Sequence, residues 1–157
     1  MRINLLCIGK TDDKKITELI SYYIARLPKH WNFEMIEIPD AKNARNLSSD
    51  LLKKEEAKLF FNHIENTDLV ILLDEKGKEF TSREFAQKLN YYQNNSIKKV
   101  CFLIGGAYGF SDEMYNRGNE KLSLSKMTFT HQMIRLFFVE QIYRADQILQ
   151  GKPYHND

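Results

Sequence analysis

The run Val100-Cys101-Phe102-Leu103-Ile104-Gly105-Gly106-Ala107-Tyr108-Gly109 and, after a short segment with polar caps, Leu122-Ser123-Leu124-Ser125-Lys126-Met127-Thr128-Phe129-Thr130-His131 together decide how this chain is read. The first part is an apolar strand that stops at two glycines. Glycine has no Cβ and tolerates positive φ, so a backbone turning there can come close to a ligand, which makes the turn a candidate ligand wall. The second part alternates apolar and small polar residues as a short strand does, then opens into the longest helical pattern of the chain. Two strand ends with polar exits, ~20 residues apart, are able to line one pocket.

Outward from this stretch the chain alternates strand and helix signals. Residues 3–8 read as a strand, and residues 14–27 as a helix whose apolar face is Ile16, Leu19, Ile20, Tyr23, Ile24 and Leu27, ended by Pro28. Residues 33–38 alternate as a second strand before Pro39. A polar stretch follows, in which Ser49 or Asp50 caps a helix reaching His63. Residues 69–73 form an apolar strand followed by a polar loop with a glycine turn, Asp74-Glu75-Lys76-Gly77-Lys78. Thr81 and Glu84 make a capping-box pair that starts a helix running to Tyr92. Then come a strand at 99–104, a short helix at 111–117 closed by Gly118, a strand at 122–125, and a helix at 131–150 with Gly151 at C′. The last three strands are nearly continuous apolar runs. The pattern predicts an α/β fold with a mostly parallel sheet covered by helices on both faces.

At 157 residues the chain fits one domain, 1–157, large enough to bury about 68–70% of its unfolded surface without staples. Cys7 and Cys101 lie in apolar runs with no C-x-x-C partner, as reduced core cysteines of a cytosolic protein do. The opening apolar run is too short for a signal peptide, and nowhere do 18 apolar residues follow one another, so a soluble, cytoplasmic protein is expected, with no membrane contact. A net charge of +2 with 28% charged residues neither demands nor excludes nucleic acid.

The last helix is apolar most of the way round, with one stripe at Ile134, Phe138, Ile142, Ala145 and Leu149 and another at Met133, Leu136, Val139 and Tyr143. So wide a surface asks for cover on more than one side, by the sheet and by either the rest of one large core or a second copy of the chain. The Gly105-Gly106-x-x-Gly109 turn lacks the G-x-G-x-x-G order, so a dinucleotide fingerprint is not signalled, and the turn alone fits a tight bend as well as a ligand wall. His131, at the positive end of the last helix, is placed to hold a neutral imidazole, or to serve as a cap. Glu140 and Arg144, at i and i+4, also read as an ordinary helix ion pair beside Arg135. The tail Lys152-Pro153-Tyr154-His155 has a composition that a frayed terminus does not need, which points to a docked, functional segment. No zinc-binding H-E-x-x-H, Ser/His/Asp set or Walker lysine is present, and no metal is expected.

Leu72-Leu73-Asp74 with Gly77-Lys78, Phe102-Leu103-Ile104-Gly105-Gly106 with Gly109, Leu122 to Thr128, His131 with Arg135, Glu140-Gln141 with Tyr143-Arg144-Ala145, and Pro153-Tyr154-His155 occur in this order along the chain. Together they resemble the ribosomal RNA large-subunit methyltransferase H family, of the SPOUT class of knotted methyltransferases. The resemblance runs from the first strand to the last residues. Thr130 departs from it, since a proline is expected before the histidine, and is expected to loosen the start of the last helix. The ending Asn156-Asp157 is less basic than the family pattern.

What the resemblance implies is a SPOUT-type fold of five to six strands whose C-terminal part, about 68–157, forms a deep trefoil knot. It further implies a homodimer whose site is completed by the partner chain, S-adenosylmethionine as cofactor, and N3-methylation of a pseudouridine in the helix-69 loop of 23S rRNA on the assembled ribosome. The implied cofactor contacts are Leu73, Gly105, Leu124, Ser125, Lys126, Met127, Thr128 and Phe129. His155 is the first candidate for assisting removal of the imide proton and His131 the second, with Tyr154 against the base and Arg144 stabilising the developing anion. The rival readings are a noncatalytic ribosome- or RNA-binding module with the same fold and a nucleotide-binding α/β enzyme of unrelated chemistry.

Overall fold

The two runs with the strongest apolar character, β1 (Arg2–Ile8) and β4 (Lys99–Ile104), lie side by side at the centre of a parallel sheet in the computed structural model, which describes residues 1–154. Around them stand β2 (Phe33–Ile38), β3 (Leu69–Glu79) and β5 (Glu120–Ser123), in the order β2-β1-β4-β3-β5 with every neighbouring pair parallel. Leu5 is in register with both Met35 and Phe102. The connecting helices are α1 (Lys14–Ile24), α2 (Ser49–Phe61), α3 (Ser82–Asn94), α4 (Asp112–Arg117) and α5 (His131–Leu149).

Successive residues of a strand face opposite sides of a sheet, so a strand buried on both faces must be apolar throughout. Leu5, Cys7, Ile71, Phe102 and Ile104 pack on one side against Ile20, Phe85, Leu89, Phe138 and Ile142 from α1, α3 and α5. Leu6, Ile8, Val70, Leu72 and Leu103 pack on the other against Ala57 and Phe60 of α2 and Met114 of α4. Phe102 sits 4.7 Å from Phe138, centroid to centroid, and truncating so buried an aromatic costs about 3–5 kcal/mol. Both cysteines are free and buried.

The structure departs from or sharpens the sequence pattern in several places. β3 does not end at residue 73. Leu122 is the partner of both Leu73 and Lys78, so residues 74–77 leave the ladder and the strand returns beyond them, with Gly77 lying on the backbone of Leu122. A Cβ on Gly77 would meet that backbone at 2.6 Å, which is why the glycine signals a close approach rather than a simple turn. β5 ends at Ser123, because the Ser123 hydroxyl donates to the Ser125 carbonyl (2.9 Å) and the Met127 N–H donates to Ser125 Oγ (2.9 Å), local bonds that replace the ladder. α1 stops at Ile24, and α2 is capped by Ser48 and ends at Phe61. Thr130 does not loosen the start of α5: its hydroxyl accepts from the Met133 N–H (3.3 Å), a cap that proline lacks. Finally, the apolar width of α5 is largely used within the chain, where α1 and α3 flank it and Phe138, Val139, Ile142 and Ala145 are buried.

The capping box of Thr81 and Glu84 is present as read, and Gly151, with φ +65°, follows α5. Among the described residues no helix is long and apolar enough to cross a membrane.

Candidate functional site

The carboxyl ends of β3, β4 and β5 open into a cleft of about 670 Å³. Strand ends in an open parallel sheet are where ligands are bound, because the loops that follow them can diverge around a crevice. Leu73, Gly105, Leu124, Ser125, Met127, Thr128 and Phe129 line it, as does His131, the first residue of α5. Of the eight positions read as cofactor contacts, Lys126 alone does not: its side chain is 85% exposed, with Nζ 3.8 Å from the Glu79 carboxylate.

One wall is the glycine loop. Gly106 and Gly109 form an antiparallel bridge in which the Gly109 N–H donates to the Gly106 carbonyl at 3.1 Å. A Cβ on Gly105 would fall 3.1 Å from the Gly109 carbonyl oxygen. Glycine at 105 therefore answers to closure of the loop on itself, at a position that also lines the cleft. Behind the loop lies Glu56 of α2, 6% exposed, whose carboxylate accepts from the Gly106 N–H. Burial pushes its carboxyl up to about 7, the Gly106 N–H opposes that rise, and Asp40 adds to it.

Beside the glycine loop stand groups that the sequence pattern did not single out as functional, with the Tyr115 hydroxyl 3.9 Å from where a Cβ on Gly109 would lie. The Tyr115 hydroxyl donates to Asp74 Oδ2 at 2.5 Å, and the Lys76 N–H donates to Asp74 Oδ1 at 2.7 Å, so this carboxylate is oriented at the cleft. Burial, then the bond to Asp74, pushes the Tyr115 phenol up to about 12. Asp74 is the first polar residue after the apolar run 69–73, which is the signal by which it could have been found. With backbone groups, small hydroxyls, apolar side chains and two acidic residues (Asp74, Glu75) against one lysine (Lys76), the cleft is suited to a small molecule with a planar portion and no net negative charge. Among the described residues no three His, Cys, Asp or Glu side chains come together as a metal site.

Arg144 and Tyr154 do not line the cleft. They meet each other on the second half of α5, where Glu140 Oε1 lies 2.5 Å from Arg144 Nη2 and accepts from the Tyr154 hydroxyl at 3.0 Å. The Arg144 guanidinium lies 4.9 Å from the centroid of the Tyr154 ring, which packs edge-on to Tyr143 at 4.9 Å. The bond to Glu140 holds the Arg144 pKa up, and burial, followed by the hydrogen bond with Tyr23, raises that of Tyr154. The tail is thus docked as far as Tyr154. His155 lies outside the described residues.

Arg135, read from sequence beside the Glu140–Arg144 pair, has a different role. It is fully buried and donates to the Ile8 carbonyl (2.6 Å) and to Thr11 Oγ1 (2.9 Å), with Glu37 at 3.5 Å. This ties the first turns of α5 to the ends of β1 and β2, and so fixes where His131 stands relative to the sheet. Only the arginine side of the ion pair is buried, the Glu37 side chain being 34% exposed, so the anchoring rests mainly on the two hydrogen bonds of Arg135.

Comparison with known proteins agrees with this geometry. The family model described as "Predicted SPOUT methyltransferase" matches residues 1–155. A protein of Cytophaga hutchinsonii named ribosomal RNA large subunit methyltransferase H is 53% identical over 156 residues, covering 99% of this chain and 100% of that protein. Proteins of the same name from Christiangramia forsetii and Parabacteroides distasonis are each 49% identical, the first over 99% of both chains and the second over 100% of both. Among solved structures, a probable methylase family protein from Haemophilus influenzae superposes with a TM-score of 0.58 at 12% identity, over 95% of this chain and 66% of that one, a likeness of fold. With a family model spanning nearly its whole length and relatives close to half identical from end to end, the chain belongs to the SPOUT methyltransferases, among the ribosomal RNA large subunit methyltransferase H proteins.

Proposed function

We propose that this chain, as a cytoplasmic homodimer, transfers a methyl group from S-adenosylmethionine to N3 of a pseudouridine in the helix-69 loop of 23S rRNA on the assembled ribosome. The observation that carries the reading is the convergence of seven of the eight expected cofactor positions on one cleft, in a chain whose relatives bear the name of an rRNA methyltransferase. The cavity of about 670 Å³ is within the range of small-molecule sites, and its acidic rim and hydroxyls suit a sulfonium and a ribose.

The cofactor, when bound, supplies a methyl group already activated on sulfur, so the chain's own task is alignment, proton removal and charge stabilisation. The glycine loop and residues 122–129 would hold the donor through backbone contacts and apolar walls. His155 would assist loss of the imide proton, a task that suits an imidazole, and Arg144 would stabilise the negative charge spreading onto the flanking carbonyls. Tyr154 would pack against the base. His131, on the lining of the cleft, is the second candidate for the proton.

Arg144 and Tyr154 stand off the cleft of their own chain, and a site that joins one subunit's cleft to the other's tail accounts for that separation. The half-exposed Phe129–Phe137 pair, 4.9 Å apart, offers apolar surface for a second copy. In this reading residues 1–157 are one domain, and the knotted, cofactor-binding part spans about 68–157. The test is incubation of the protein with labelled S-adenosylmethionine and ribosomes lacking the modification, followed by mass mapping of the 23S rRNA. Label at the helix-69 pseudouridine is expected, and absence of transfer with a folded protein would overturn the reading.

A further inference from the structure

α2 contributes no residue to the lining of the cleft, yet it buries an acid directly beneath it. Glu56 is 6% exposed between Ala57 and the loop after β4, on the side of the sheet where Phe60, Leu103 and Met114 make an apolar core. An apolar side chain would fill such a place at lower cost, since a carboxyl taken out of water must be compensated. The compensation is the Gly106 N–H. The fit is so close that a Cβ on Gly106 would lie within 2.6 Å of Oε2 and would strike Oε1 as well, so glycine at 106 answers to Glu56. Gly106 also accepts the Gly109 N–H, so whatever holds Gly106 holds the bridge that gives the wall its shape. Asp40 stands in a similar relation to Gly9, which follows β1: a Cβ there would lie 3.1 Å from Asp40 Oδ1. A glycine after each central strand thus lies close to a carboxylate, Gly106 to that of Glu56 and Gly9 to that of Asp40.

We infer that Glu56 is a positioning residue for the cofactor cleft: without touching the ligand, its carboxylate fastens Gly106 and thereby holds the 105–109 wall in the shape that binds. This rests on the proposed use of S-adenosylmethionine and adds a residue on a helix outside the cleft. Affinity for the cofactor depends on an acceptor at the Glu56 carboxylate, while the rate of transfer from a fully loaded enzyme does not.

The experiment is calorimetric titration of S-adenosylhomocysteine into the wild type, Glu56→Gln and Glu56→Leu, with kcat and KM for S-adenosylmethionine measured on ribosomes lacking the modification. Glu56→Gln keeps an oxygen that accepts the Gly106 N–H and should bind within about threefold of wild type. Glu56→Leu should bind about tenfold more weakly and raise KM in proportion, with kcat at saturating cofactor unchanged. If Glu56→Leu does not fold, Glu56→Asp, whose carboxylate falls one methylene short of Gly106, takes its place with the same expectation. A wild type that binds, together with folded Leu or Asp variants of equal affinity, overturns the inference alone. So does a Gln variant as weak as the Leu variant, or a loss that appears in kcat and not in KM. A wild type that fails to bind S-adenosylhomocysteine overturns the proposed function itself.

Discussion

The cleft and the cluster around Glu140 are both drawn mainly from residues 73–154, and they are made of different material. The cleft is mainly a matter of backbone: strand ends, a glycine loop closed by its own N–H to carbonyl bond, and a segment 124–128 turned by serine hydroxyls. The cluster is side chain on side chain, with a guanidinium, a carboxylate and two phenols held at 2.5 to 4.9 Å. A backbone wall binds by shape, so it loses affinity when what holds that shape changes, whereas a charged cluster on a helix works through one group at a time. Binding and chemistry should therefore separate under mutation, region by region.

The strongest test of that separation sets the two regions against each other. Gly105→Val places a branched side chain 3.1 Å from the Gly109 carbonyl, so the loop must open and the heat stabilisation given by S-adenosylhomocysteine should vanish. His155→Ala should keep that stabilisation while turnover falls roughly 10²–10⁴-fold, the range for loss of a general acid–base group. If the site joins one chain's cleft to the other's tail, a purified heterodimer of the two inactive variants holds one intact site and regains activity. A dead heterodimer would mean that cleft and tail of the same chain must meet. Near-normal turnover in His155→Ala would move the proton to His131. Within the cluster, Arg144→Ala should lower kcat by roughly 10²-fold, as removal of one charge-stabilising donor does, and leave the affinity for S-adenosylhomocysteine unchanged. A loss of affinity instead would tie the cluster to the cleft.

The two regions were also unequally legible in the sequence. β2 and β4 have the bounds that alternation and apolar runs predict, and the Thr81–Glu84 box opens α3 as its spacing says. Each of these signals is local, within one element. The excursion at 74–77 was hidden because it is defined by Leu122 pairing twice, a contact across the sheet that no periodicity carries. The role of Arg135 was hidden for the same reason, since its partner Ile8 is 127 residues away. Glu56 has the spacing of any helical acid among lysines, and only the approach of Gly106 separates it from a solvated one. The backbone-made cleft was read largely through a resemblance of motifs, and its supporting acids were not read at all.

Glu56 gives the comparison a pH dependence. Its carboxyl is held at about 7 against an ordinary 4.5, so between these values the folded chain binds a proton that the unfolded chain does not. Stability from this group is thus greatest at low pH and falls as pH rises through that window. Glu56→Gln removes the dependence, so the stability of the variant relative to wild type should increase on going from about pH 5 to about pH 8, by on the order of 1–3 kcal/mol in urea titrations. A difference that stays flat would show that Asp40 and burial do not act on Glu56 as the structure implies.

The smallest expected effect sits where the two regions adjoin, at the first turn of α5. Thr130 stands where a proline is expected, and its hydroxyl accepts from the Met133 N–H at 3.3 Å, satisfying one of the donors that a helix start leaves open. Thr130→Ala removes that acceptor without disturbing Arg135, which pins the next turn to β1 from inside the core. The expected cost is about 1 kcal/mol of global stability, the usual worth of an N-cap, read as a shift of the urea midpoint with an unchanged slope. Because Arg135 still fixes the helix, the fraying should stop short of it, with faster amide exchange confined to residues 131–134. S-adenosylhomocysteine, which would lie against residues 124–129 and beside His131, should then bind no more than about threefold more weakly. Exchange that spreads along α5 to the Glu140 cluster would show that the cap, and not the buried arginine, holds the helix in place, and cleft and cluster would then have to be treated as one unit.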